Sequence, residues 1–126
     1  MADEALAAPA APPETVTVER PWGEFRQYCC NEPVTVKIIT VKAGSELSLQ
    51  RHRRRAELWV SLDGTLVVEV DGKRWQPATG EQVWIPSGAV HRLSAPADAS
   101  GRMLEVAFGP FDEEDIERLA DRYGRA

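Results

Sequence analysis

Cysteine is nearly absent: the two present, Cys29 and Cys30, are neighbours in the chain. Adjacent cysteines rarely bridge each other, because the geometry strains the peptide. No disulfide framework is legible, so a reducing compartment, the cytoplasm, is the expected address. Long apolar runs are missing too. No stretch approaches the roughly 20 residues of a membrane-spanning helix. The first residues include Asp3 and Glu4 and no basic region ahead of a hydrophobic one, which is not the pattern of a secretory signal. Positive charge is in deficit, with 15 Lys and Arg against 20 Asp and Glu. That balance argues against a general nucleic-acid or membrane-surface binder. Histidine is scarce as well, with His52 and His91 alone.

What is present fits one soluble domain. The 126 residues are 43% hydrophobic and 28% charged, ordinary values for a globular chain able to bury its own core. Against the acidic background, Arg51, Arg53, Arg54 and Arg55 crowd around His52. A dense positive patch on an acidic protein points to a small anionic ligand rather than to a polyanion. Residues 1–14 are mostly Ala and Pro with a few acidic interruptions. Such a stretch buries too little apolar surface to offset its ordering entropy, and it reads as a disordered arm. The folded domain is expected to span residues 15–126.

From Thr15 onward the pattern is that of short strands. Thr15-Val16-Thr17-Val18 alternates and is β-branched. Strand-like patterns resume at residues 24–28 and 34–42, with Asn31-Glu32-Pro33 as the turn between them. Asp63-Gly64 and Asp71-Gly72 each read as a two-residue hairpin turn. Further strands are expected at residues 65–70, 83–85, 90–93 and 103–108. This spacing argues for an all-β sandwich or barrel. A short C-terminal helix is expected to close the chain. Asp112 suits its N-cap, and Glu113, Glu114 and Asp115 suit the positive end of its dipole. Ile116, Leu119, Ala120 and Tyr123 would form one apolar stripe, with Gly124 as the stop.

Residues two apart on a strand share a face, so Gln50 and His52 point the same way. Glu57 follows five residues later, and His91 lies just beyond Pro86-Ser87-Gly88. An amide oxygen, two imidazoles and a carboxylate make a mixed nitrogen and oxygen set. Such a set suits one divalent ion, with zinc first and manganese, cobalt, nickel or iron as alternatives.

The spacing resembles a known superfamily. Gly44, Gln50, His52, Glu57 and Gly64 are similar to the first cupin motif, with glutamine in place of its first histidine. Gly80, Pro86, Gly88 and His91 resemble the second, with Ala95 where that motif ends in asparagine. Residues 47–59, with Arg20-Pro21-Trp22-Gly23, residues 85–93 and the closing Asp121-Arg122-Tyr123-Gly124-Arg125, resemble the cupin domain of type II mannose-6-phosphate isomerases. The resemblance implies a single cupin barrel, a double-stranded β-helix or jelly-roll. It implies a metal-dependent isomerase that interconverts mannose 6-phosphate and fructose 6-phosphate or a related sugar phosphate. Many family members carry a nucleotidyltransferase domain ahead of this one. Its Gly-rich phosphate loop does not occur here, so guanylyltransferase activity is not expected.

The same resemblance assigns Arg55 to electrostatic stabilisation or sugar positioning; Arg54 and Lys37 are the candidate residues for binding the ligand. Parity favours Arg54 over Arg53 as the pocket-facing arginine. Arg53, Arg54 and Leu58 stand where the family usually has histidine. With both histidines assigned to metal, the general base would be a carboxylate, a lysine or a metal-bound hydroxide. Glu105 is the candidate, with Glu46 and Lys37 as alternatives. Two other readings stay open: a sugar-binding or metabolite-binding cupin without catalysis, and a ferrous-iron dioxygenase. The expected partners are a small anionic sugar and a second copy of the chain in a homodimer, with residues 16–19 supplying an exchanged strand.

Overall fold

The computed structural model describes residues 7–125. Eleven strands follow one another: β1 (Val16–Arg20), β2 (Gly23–Gln27), β3 (Val34–Val41), β4 (Leu49–Arg51), β5 (Ala56–Ser61), β6 (Val67–Val70), β7 (Lys73–Trp75), β8 (Gln82–Ile85), β9 (His91–Ser94), β10 (Gly101–Phe108) and β11 (Glu117–Ala120). They form a ribbon of β1 and β2, a four-stranded sheet in the order β3-β10-β5-β8, and a five-stranded sheet in the order β11-β4-β9-β6-β7. The two larger sheets face each other as a cupin-type jelly-roll barrel.

Alternation along the strands divides the side chains between two cores. Inward residues Val41, Trp59, Leu66, Val68, Val83, Ile85, Leu93 and Met103 fill the space between the sheets. Outward residues Leu58, Val60, Val106 and Phe108 form a second cluster, covered in part by Ala8, Tyr28, Cys29 and Trp84. Every residue of β5 is buried, because this strand has protein on both faces. Gly109 ends β10 at a φ of 100°. A Cβ there would collide with the Arg54 carbonyl oxygen, so the chain needs glycine at this crossing.

Two expectations change. No helix occurs among the described residues, and the segment read as the closing helix contains β11 instead. The edge of β4 supplies the reason. Arg51 and Glu117 pair at 2.8 Å, and the Asp115 carboxylate accepts from the N–H groups of Arg53 and Arg54 at 2.9 and 3.0 Å. A short helix is marginal in water, whereas an open strand edge offers partners for a whole backbone run. Asp63-Gly64 is likewise not a hairpin turn. It is a corner where the chain leaves β5 in one sheet for β6 in the other. The Asp63 carboxylate holds that corner by accepting from Thr65 N–H and Arg102 N–H, both at 3.1 Å. Asp71-Gly72 does turn the β6–β7 hairpin, with φ of 47° and 84°, as the right-handed twist of paired strands favours.

Of the arm, the first six residues lie outside the described residues. From residue 7 to residue 14 the chain has no strand or helix, and Ala8 packs on the outer cluster. At the start of the domain Thr15 Oγ1 bonds to Gln82 Oε1 at 3.1 Å.

Candidate metal centre

The two sheets bring the candidate ligands together by register. His91 on β9 pairs with Gln50 on β4. Glu57 sits at the start of β5 on the facing sheet, and His52 follows the end of β4. One ligand atom each from His52, Glu57 and His91 lie within 4.8 Å of one another. All three residues are buried, at 3%, 1% and 1% exposure. Gln50 lines the same cavity of about 230 Å³.

The hydrogen bonds decide how the imidazoles present themselves. His52 Nδ1 lies 2.6 Å from the Asp115 carbonyl oxygen, and His91 Nδ1 lies 2.9 Å from that of Ala89. A carbonyl only accepts, so both Nδ1 atoms carry the proton and both Nε2 lone pairs are left to the cavity. This backbone orientation of a ring is the usual support for a metal-binding histidine. Burial keeps both rings neutral. It holds His52 down to about 4, with Arg55 and His91 adding to the effect and the bond to Asp115 opposing it. His91 is lowered for the same first reason. Two Nε2 lone pairs and a carboxylate brought together, with the Gln50 amide lining the same cavity, fit a divalent ion of intermediate softness. Arg55 Nη2 donates to His52 Nε2 at 3.1 Å, so the guanidinium uses the lone pair that an ion would take.

Charge is arranged around this point with care. Arg55 Nε donates to Glu57 Oε2 at 3.1 Å. Trp59 Nε1 donates to Glu57 Oε1 at 3.1 Å and to Glu105 Oε1 at 3.4 Å. Burial pushes Glu105 up to about 7, helped by the charge of Glu57 and a hydrogen bond to it. The Phe111 ring meets two cations, with Lys37 Nζ 4.1 Å and the Arg55 guanidinium 4.3 Å from its centroid.

Of the residues singled out in the sequence, Gln50, His52, Glu57, His91, Arg55, Glu105 and Lys37 all line the cavity. Arg54 does not: its side chain is exposed. The parity argument fails because β4 stops at Arg51 and residues 53 and 54 bend around Asp115. Glu46 is also outside the cavity, paired with Arg92 at 3.3 Å and Arg122 at 3.5 Å. Leu58 points to the outer cluster. Trp59, Ile116 and Arg118 line the cavity and were not foreseen. Trp59 was findable, since it shares the parity of Glu57. Arg118 was not, because its segment read as helix.

The family model described as mannose-6-phosphate isomerase C-terminal matches residues 11–121. The chain belongs to this family. Its relatives include a mannose-1-phosphate guanylyltransferase of Escherichia coli, 42% identical over 109 residues. The alginate biosynthesis protein AlgA of Pseudomonas aeruginosa is also 42% identical over 109 residues. Each alignment covers 86% of this chain and 23% of the relative. The chain thus spans less than a quarter of the length of the curated relatives it matches. Among solved structures, a cupin-2 domain from Rhodospirillum rubrum superposes with a TM-score of 0.59 at 20% identity. That match covers 81% of this chain and 77% of the other, and it establishes the cupin fold. As a mannose-6-phosphate isomerase C-terminal domain, the chain keeps three buried ligand-type residues together in one cavity. No helix among its described residues is long and apolar enough to cross a membrane.

Proposed function

We propose that this cavity interconverts an aldose phosphate and a ketose phosphate, with mannose 6-phosphate and fructose 6-phosphate as the first pair to test. Gln50, His52, Glu57 and His91 would hold one divalent ion, zinc first, and the ion would polarise the sugar oxygens. The observation that carries the reading is the convergence of these ligands with a further buried carboxylate, Glu105, in one cavity. Glu105 takes the proton from one of the two reacting carbons and returns it to the other. Trp59 N–H holds the Glu105 carboxylate in place, and Arg55 faces the oxygen charge that develops as the enediol forms. The departures from the family pattern at Arg53, Arg54 and Leu58 lie off the cavity, which supports retained catalysis. A coupled assay with mannose 6-phosphate and added zinc, manganese, cobalt or nickel tests this. Turnover is expected above a His52→Ala control, and none above it would sink the reading. Glu105→Gln is expected to lower kcat by about 10²- to 10⁴-fold with metal content unchanged.

A second reading is a sugar-phosphate-binding cupin without turnover. The observation that favours it is that both imidazoles are aimed at the metal point, so no free imidazole remains. Melting shifts with sugar phosphates in the absence of turnover would select it.

A second copy of the chain is the proposed macromolecular partner. The outward side of the four-stranded sheet carries Val36 and Ile38, each 56% exposed, beside Leu104 and Val106. The β1–β2 ribbon gathers Val16, Val18 and Phe25 on one side and Thr17, Glu19, Glu24 and Arg26 on the other. Val16 and Phe25 are 40% and 42% exposed. These apolar surfaces suit each other across a dimer. Sedimentation at micromolar concentration is expected to show a dimer that Val36→Glu with Ile38→Glu turns into monomer. A wild-type chain that stays monomeric refutes the pairing.

A further inference from the structure

We infer that Arg118, with Lys37 opposite, grips the phosphoryl group of the ligand at the mouth of the cavity. This deepens the sugar-phosphate reading and rests on it. The register places the two residues. Across the five-stranded sheet, His91, Gln50 and Arg118 stand side by side on β9, β4 and β11. Across the facing sheet, Trp59, Glu105 and Lys37 stand side by side on β5, β10 and β3. Paired residues point to the same face, and all six line the cavity. Each row therefore runs from the metal end, through a polar middle, to a cation on an edge strand. The cavity is a slot with a metal point at one end and two positive lips at the other.

Arg118 is the unsatisfied member of this arrangement. Its Nε is buried and has no hydrogen-bond partner among the described residues. A buried donor on a charged group that lacks an acceptor is costly, so the position favours an incoming oxyanion. Guanidinium matches phosphate by paired hydrogen bonds. Lys37 is held loosely, by Phe111 and by an exposed Glu113 carboxylate at 3.5 Å. An exposed pair of that kind is weak and readily exchanged for a doubly charged ligand.

The length is right as well. Two strand spacings separate His91 from Arg118, roughly 10 Å between backbones. A six-carbon chain spans about 6 Å from its bond lengths, and the phosphate ester extends it toward the lip. The arginines that attracted attention in the sequence are otherwise employed. Arg51 is paired with Glu117, and Arg53 lines a separate surface depression with Glu114, Asp115 and Glu117.

Calorimetry of the zinc-loaded protein with mannose 6-phosphate and with mannose tests the clamp without needing turnover. Arg118→Gln is expected to weaken mannose 6-phosphate binding about 10- to 100-fold, the equivalent of a lost charged hydrogen-bond pair. Affinity for mannose and zinc content should stay as in wild type, and Arg118→Lys should recover part of the loss. Lys37→Gln is expected to weaken the same ligand, which keeps the test open if the Arg118→Gln chain does not fold. Equal binding of mannose 6-phosphate by wild type, Arg118→Gln and Lys37→Gln would overturn the clamp. Loss of mannose and mannose 6-phosphate binding in equal measure would also overturn it, as a structural effect. A failure of the isomerase reading shows instead in the coupled assay, as absent turnover with the phosphate-selective loss intact.

Discussion

Alanine at position 91 is expected to lower affinity for the proposed zinc ion by more than about 100-fold and to abolish the proposed isomerase turnover. Loss of a residue that merely supports a ligand typically costs 10- to 100-fold in metal affinity, and His91 would be a ligand. Its ring is fixed on one side by the Ala89 carbonyl at 2.9 Å and packs edge-on against Trp59 at 5.5 Å. The Nε2 lone pair is thereby aimed into the cavity with little freedom to lose on binding. No neighbour can take over, because the second imidazole already belongs to the same set. Metal content after dialysis, together with competition against a chelator, measures the effect. A His91→Ala protein that keeps wild-type zinc would remove His91 from the centre. Far-ultraviolet circular dichroism of the variant separates metal loss from unfolding.

Trp59→Ala is expected to destabilise the fold by about 3–5 kcal/mol, the range for deleting a large buried aromatic side chain. For a chain of this length that corresponds to a fall in Tm of about 10–20 °C. The indole is 2% exposed and sits in the inner core beside Met103, Val83 and Leu93. Its N–H also serves Glu57 and Glu105 together. Removing it empties a large volume and leaves two neighbouring buried carboxylates without that donor. Trp59→Phe keeps most of the packing and loses only the N–H, so about 1–3 kcal/mol is expected there. Urea denaturation of both variants measures the two contributions. A loss below 1 kcal/mol in Trp59→Ala would mean that the ring does not support the barrel.

Much of the site was legible because its determinants are local. Gln50 and His52 share a parity, Glu57 begins the next strand, and a glycine-containing turn precedes His91. The barrel followed from short alternating strands. What escaped was decided by residues far away in the chain. Residues 116–120 carry apolar side chains compatible with a helical stripe, and nothing nearby contradicts it. The β4 edge decides the matter, and it lies more than 60 positions away, as the Arg51–Glu117 and Arg53–Asp115 contacts record. Asp63-Gly64 has the composition of a hairpin turn, yet β5 already has β10 and β8 as neighbours, so β6 must cross to the other sheet. Arg54 was misplaced by extending strand parity three residues past the strand's end. Arg53, Arg54 and Leu58, which depart from the family pattern, all fall outside the cavity. Sequence flags a departure from a family pattern without saying which face it falls on.

His52 is clamped from both ends of its ring, with the carbonyl of Asp115 at Nδ1 and the metal point at Nε2. The same short segment carries Ile116 and Arg118 into the cavity. Binding of an ion at this centre and docking of the C-terminal strand would therefore be thermodynamically linked through one imidazole. By reciprocity, whatever free energy the docked strand lent to such an ion, the ion would return to the strand. The wall of the cavity and its innermost ligand-type residue would then behave as one cooperative unit.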